Sequence, residues 1–249
     1  MPVFSRLHIE PVGGVAGDML LGGLVDLGAE RGAIDAALAS LAHPGLTLGV
    51  ERVTVNGVPA CCVRSLPRDD AHGHRHLHEI LELLARAEMS ARARTLAETV
   101  FTWLAEAEGA SHGAALAEVA LHEVGQLDSV LDVVGIAVAL DGLGLPKVSS
   151  SPLPSGHGTV HTAHGVLTCP VPAVRELARR AKLPLVDVDV EGETVTPTGA
   201  AVLAAVCQRF GPTPLEPAAA VGVGAGTRRF VTRPNIVRVL GFVGAVDGR

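Results

Sequence analysis

Four histidines, His72, His74, His76 and His78, alternate with Ala71, Gly73, Arg75 and Leu77 just after Asp69 and Asp70. Neutral imidazole is a good ligand for nickel, copper, zinc and iron. Both regular backbone geometries would gather these rings: an extended segment turns all four to one side, and a helix pairs His72 with His76 and His74 with His78. A solvated histidine-rich loop with loose metal affinity is the plainer reading of the same pattern. The spacing names a metal class rather than a defined site.

Further along, His122 and Glu123 stand just before a helical pattern in which Asp128 and Asp132 lie one turn apart. Two carboxylates at that spacing on a mostly apolar helix need a cation, an arginine or a polar ligand, because burying them unpaired costs several kcal/mol. They are candidates for metal ligation or for general-base work. Helix capping and solvent exposure are the structural alternative. Gln126 stands where the second histidine of an H-E-x-x-H zinc motif would be, which disfavours a thermolysin-like hydrolase. A third cluster places His157, His161 and His164 among glycines and threonines, with Cys169 shortly beyond, leaving room for a metal or substrate to reach the backbone.

Two glycine-bearing turns open helices. Gly14, Gly17 and Asp18 form one, and Thr196, Thr198 and Gly199 the other, with Thr196 a natural N-cap and Pro197 a natural first helical residue. Free N–H groups and the helix dipole at such positions favour an anion such as a phosphate. Neither turn is a Walker A or Rossmann fingerprint. Tight backbone packing would equally require the glycines.

The elements that must position these residues follow from periodicity. A strand is expected over residues 4–12, helices over 18–27 and 32–41, and a hairpin of strands 46–55 and 59–66 around Asn56-Gly57. Helices follow at 78–87, 90–109 and 126–143, then a long irregular segment at 148–172. A helix at 174–182, a strand at 185–190, a helix from Pro197 to about Phe210, a Gly222-x-Gly224-x-Gly226 turn and a strand at 235–242 complete the chain. The alternation predicts an α/β fold, a single compact domain with a mixed β-sheet and packed helices.

Composition narrows the function. Of 249 residues, 48% are hydrophobic and 18% charged, enough to build a core. With no Tyr, one Trp and a net charge of −6, a nucleic-acid partner is not expected. Four cysteines without a C-x-x-C pair fit a reducing compartment. The longest apolar run, residues 133–140, is closed by Asp132 and Asp141, so no membrane partner is expected, and the start of the chain carries no secretory pattern. A cytoplasmic protein is the expectation.

Taken in order, the motifs resemble the N-terminal region of the LarC family, the nickel insertases of nickel-pincer cofactor synthesis. The residues that carry the resemblance are Gly14-Val15-Ala16-Gly17-Asp18-Met19, the segment from His72 to His78, His122-Glu123-Val124-Gly125 with Leu127-Asp128-Ser129 and Asp132, and Ser150-Ser151-Pro152-Leu153-Pro154. Thr162-Ala163-His164-Gly165, Glu193 with Thr196-Pro197-Thr198-Gly199-Ala200-Ala201, Gly222-x-Gly224-Ala225-Gly226-Thr227 and Arg233-Pro234-Asn235 continue it.

The resemblance implies a CTP-dependent nickel insertase, of the lyase class, that places Ni2+ into pyridinium-3,5-bisthiocarboxylic acid mononucleotide with two Ni–S bonds and one Ni–C bond. It further implies that the histidines at 72, 74, 76, 78, 157, 161 and 164 handle nickel and that His122, Glu123, Asp128 and Asp132 hold a metal or act as base. The turns at Gly14, Gly17 and Asp18 and at Thr196, Thr198 and Gly199 would receive phosphate. Residues 1–249 correspond to the N-terminal-type nickel-insertion domain; the family's C-terminal domain, associated with CTP and possible Mg2+ or Mn2+, is expected on a separate chain or a further segment. The competing reading is a non-catalytic nickel-binding chaperone or storage module, and a metal-dependent hydrolase ranks behind both.

Overall fold

Strand β1 (Arg6–Pro11) sorts its side chains by the two-residue period of a strand: Leu7 and Ile9 enter the main apolar core, while His8 and Glu10 face the other side. The computed structural model describes residues 4–43, 45–66, 75–112, 119–121, 125–162 and 165–244. After β1 come α1 (Gly17–Leu27), α2 (Arg31–Ser40), β2 (Thr47–Val55) and β3 (Val58–Leu66). Asn56 and Gly57, both at positive φ, close the β2–β3 hairpin as expected. A two-residue strand β4 (Arg75–His76), α3 (Leu77–Arg86), α4 (Ala91–His112) and β5 (Ala120–Leu121) lead to α5 (Leu127–Gly142).

The second half carries β6 (Lys147–Ser150), β7 (Leu153–His157), β8 (Thr159–Thr162), β9 (Gly165–Thr168), α6 (Pro172–Ala181), β10 (Leu185–Glu191), α7 (Pro197–Val206), β11 (Cys207–Phe210), β12 (Ala220–Ala225) and β13 (Ile236–Phe242). Seven strands form one mixed sheet in the order β11-β6-β1-β13-β12-β3-β2. The β1–β6, β6–β11 and β3–β12 pairings are parallel and the others antiparallel. This is the α/β fold with a mixed sheet that periodicity predicts.

Helix α1 lies against β12, β3 and β13, on the face that displays Leu7 and Ile9. Helix α5 packs on α1, α2 and α4, and is buried along most of its length from Leu127 to Leu140. On the opposite face, residues 211–219 run from edge strand β11 to interior strand β12. They are tied down by Thr213 to Glu10 (2.9 Å) and by an ion pair between Glu216 and Arg6. Beneath this connection His8 is 2% exposed, its Nδ1 2.9 Å from Ser149 Oγ and its Nε2 2.9 Å from Ser151 Oγ.

Three expectations are corrected. Residues 148–172 are not irregular but hold β6 to β9; these strands are four or five residues long, too short for alternation to show, and the β8–β9 hairpin is mostly solvent-facing. The helix from Pro197 ends at Val206 rather than Phe210, because Cys207 to Phe210 join the ladder of β6 as its outer neighbour. Gly222 and Gly224 do not form a turn; they lie within β12. A Cβ on Gly222 would fall 2.1 Å from the Gly23 carbonyl oxygen, and one on Gly224 1.8 Å from that of Met19, so the glycines exist to let α1 lie on the strand.

Candidate functional site

Two glycine turns 180 residues apart in sequence meet in space. Val15 and Val195 form a parallel bridge; Val15 N–H donates to Thr194 O (2.8 Å) and Thr196 N–H to Val15 O (3.0 Å). That zipper places the first turns of α1 and α7 side by side. Their closeness explains the motif glycines: a Cβ on Gly199 would lie 2.5 Å from the Val15 oxygen, and one on Gly14, whose φ is +156°, 2.1 Å from the Thr194 oxygen. Thr196 caps α7 by accepting the Gly199 N–H at 3.2 Å, as its residue type and the following proline predict.

Helix α5 closes the site from a third direction. A Cβ on Gly17 would fall 2.5 Å from Asp132 Oδ2 and 2.9 Å from Thr198 Cγ2, which sets Asp132 directly against the start of α1 and beside α7. Ser129 Oγ on α5 is 3.4 Å from Thr198 Oγ1. Asp128, one turn before Asp132, is exposed and accepts a hydrogen bond from Ser65 Oγ of β3.

Asp18, Asp128 and Asp132 thus form an acidic cluster at the head of α1. Burial pushes the Asp18 carboxyl up to about 6, against the stabilising Met19 N–H (2.8 Å to Oδ1) and with help from the negative charge of Asp128. Burial, reinforced by the charges of Asp18 and Asp128, holds the Asp132 carboxyl well above the usual carboxylate range, and the Asp18 N–H offsets only part of this. Such a cluster stores a demand for a cation or a proton, and a group titrating near neutrality can exchange a proton with a ligand.

Next to the cluster, a cavity of about 160 Å3 opens between the two helix starts and the segment after β12, with Asp18, Glu193, Thr196, Thr227, Arg228 and Asn235 in its wall. Asn235 shapes that segment: its backbone oxygen accepts the Gly226 N–H (3.0 Å) and its Nδ2 donates to Arg228 O (3.1 Å).

The structure therefore brings together Gly14, Gly17, Asp18, Asp128, Asp132, Thr196, Thr198 and Gly199 from three separate parts of the sequence. The histidines are placed differently. His76 lies on β4, its Nδ1 3.1 Å from Val119 O, and it enters a capping box with Glu79 at the start of α3; the ring of His78 stacks on it at 5.8 Å. His157 is exposed and its Nε2 is 3.2 Å from Asp189 Oδ1, while His161 is exposed on β8. His72, His74, His122, Glu123 and His164 lie outside the described residues. Among the described residues no three His, Cys, Asp or Glu side chains are arranged to hold a metal ion. Ser65 and Arg228 were missed by the sequence reading: Ser65 sits on an ordinary alternating strand, and Arg228 only follows a glycine segment that reads as a turn.

The chain belongs to the nickel insertion protein family, whose model matches residues 7–246. Relatives from Rhodopirellula baltica and Geobacter metallireducens, both with nickel insertion protein in their names, are 38% and 40% identical over 94% and 97% of this chain. A third, from Staphylococcus epidermidis, is named pyridinium-3,5-bisthiocarboxylic acid mononucleotide nickel insertion protein and is 35% identical over 96% of the chain. The chain spans about six tenths of the length of these relatives, 59%, 61% and 59% respectively. No solved structure gave a significant match. No helix among the described residues is long and apolar enough to cross a membrane.

Proposed function

We propose that this chain takes part in inserting nickel into pyridinium-3,5-bisthiocarboxylic acid mononucleotide during synthesis of a nickel-pincer cofactor. The observation that carries the reading is the convergence of motif residues from α1, α5 and α7 on one cavity-side cluster, in a family whose Staphylococcus epidermidis member is named for that substrate. Nickel is the substrate metal here. The imidazoles, His72, His74, His76 and His78 first and His157, His161 and His164 after them, bind it loosely enough to hand it on, and the soft sulfur atoms of the ligand make the final bonds.

Forming a nickel–carbon bond releases a ring proton, and the acidic cluster is suited to take it. Asp18 borders the cavity and titrates near neutrality, so a large fraction of it is available as base. Burial and the neighbouring carboxylates hold the Asp132 carboxyl behind it well above the usual range, so it resists adding a further negative charge to the cluster. Asp128, with His122 and Glu123 a few residues earlier in the chain, completes the set of candidate acid–base and metal-handling groups. CTP, with Mg2+ or Mn2+, enters through a second domain or a separate chain, in the cytoplasm. The test is product formation, read as the mass gain of one nickel by the ligand. His122→Ala and Asp128→Ala should each abolish product with the fold intact; full activity in both would remove the site assignment.

A further inference from the structure

At the helix starts that the sequence offers as phosphate sites, several of the first-turn N–H groups are already taken by the protein's own side chains. At α1, Asp18 takes the Met19 N–H and Asp132 lies against the Asp18 N–H. At α7, Thr196 takes the Gly199 N–H and Pro197 has none to give. Carboxylates at the head of α1 also cancel the partial positive charge that would attract an anion. A phosphate in this region needs another source of positive charge.

Arg228 supplies it. Its side chain borders the same 160 Å3 cavity as Asp18 and Thr196, and its Nη1 passes so close to Gly192 that a Cβ there would stand 3.2 Å away. Asn235 fixes its backbone by holding the Arg228 oxygen, and Gly226 allows the approach, since a Cβ on Gly226 would lie 2.4 Å from Asn235 Nδ2. The residue is exposed, and no ion pair among the described residues engages it. Thr227, also exposed and in the cavity wall, adds a hydroxyl donor. The cavity wall thus carries the carboxylates of Asp18 and Glu193 together with a guanidinium.

We propose that Arg228, with Thr227 beside it, is the recognition point for a phosphomonoester, so that a mononucleotide enters this cavity with its phosphate at this loop. The inference rests on the functional reading above and adds the residue that reads the phosphate. A planar guanidinium can grip two phosphate oxygens at once, which a lone helix amide cannot.

The test is calorimetric binding of the pyridinium bisthiocarboxylate mononucleotide and of its dephosphorylated nucleoside, to the chain and to Arg228→Gln. The unchanged chain should bind the mononucleotide about tenfold or more tightly than the nucleoside. Arg228→Gln should bring that ratio close to one by weakening the mononucleotide alone, with unchanged thermal unfolding because the side chain is exposed. A preference that survives in Arg228→Gln, or an unchanged chain that binds both ligands equally, overturns the role of Arg228 while leaving the functional reading in place. Binding of neither ligand overturns the functional reading itself, and the inference with it.

Discussion

Asp132 Oδ2 lies 2.5 Å from the point where a side chain on Gly17 would begin. The acidic cluster is therefore built by the backbone of α1 pressing on α5, and the missing Cβ of one glycine is what permits it. Asp132 is half-buried against amide and methyl groups and beside two other carboxylates, which is the physical origin of its reluctance to ionise.

Gly17→Ala should force the two helices apart or rotate Asp132 out of place. Part of the clash is with the Asp132 Cβ at 2.9 Å, which cannot swing away as a side-chain tip can. The expected cost is about 1–3 kcal/mol of stability, measured by urea unfolding, together with loss of product formation.

The cluster gives stability a defined pH dependence. Asp18 has an ordinary value of 3.8 and a native value of about 6, so between these the native state binds more protons than the unfolded state. Stability from this group is highest below pH 3.8 and falls as pH rises through 6. Asp18→Asn removes the charge and should raise stability at pH 7 by roughly 1–3 kcal/mol while flattening this slope. Urea unfolding at a series of pH values reads both effects; a variant less stable than the parent at pH 7 would contradict the account.

His8 predicts the opposite slope. Burial lowers its pKa from 6.5, so the unfolded state binds the extra proton as the pH drops. Its contribution is complete above pH 6.5 and is lost as the pH falls toward the native value. Replacing it with Leu leaves Ser149 and Ser151 each short of a partner and should cost about 1–3 kcal/mol at pH 7. The same series of unfolding curves should show less acid loss in His8→Leu.

A fourth prediction concerns the strand that reads as a turn. Gly224→Ala would put a methyl 1.8 Å from the Met19 oxygen, a backbone atom held in α1, and should destabilise by about 2–4 kcal/mol. Gly57→Ala has no neighbour within 4 Å and differs only by its φ of +82°, so its cost should be smaller. Thermal unfolding of the pair distinguishes a packing role from a turn role.

The elements that were legible are those whose apolar faces are long: α1, α4, α5 and the β2–β3 hairpin announce themselves by period and by Asn56-Gly57. The strands β6, β7 and β11 escape because their order comes from ladder hydrogen bonds to partners far away in sequence, as Ser149 does to β1 and Arg209 to β6, and β8 and β9 because a hairpin of two four-residue strands is too short for alternation to show. Gly222 and Gly224 mislead for a related reason: a glycine required by a helix crossing overhead looks the same in sequence as one required by a turn. At the site, Asp128, Asp132, Thr196 and the glycines are visible from spacing and capping chemistry. Their meeting is not, since it depends on the bridge between Val15 and Val195. Arg228 becomes meaningful only once that bridge has made a cavity.

The central claim is that this fold brings nickel and a pyridinium bisthiocarboxylate mononucleotide together. Calorimetric titration of the chain with Ni2+, alone and with the mononucleotide present, followed by the absorption spectrum of the bound ligand, tests it most directly. The account predicts tighter nickel binding in the presence of the ligand and a new metal–ligand absorption band. Nickel binding of the same affinity with and without the ligand, and a spectrum unchanged from that of the free ligand, would contradict it and leave a nickel-binding chaperone or storage module.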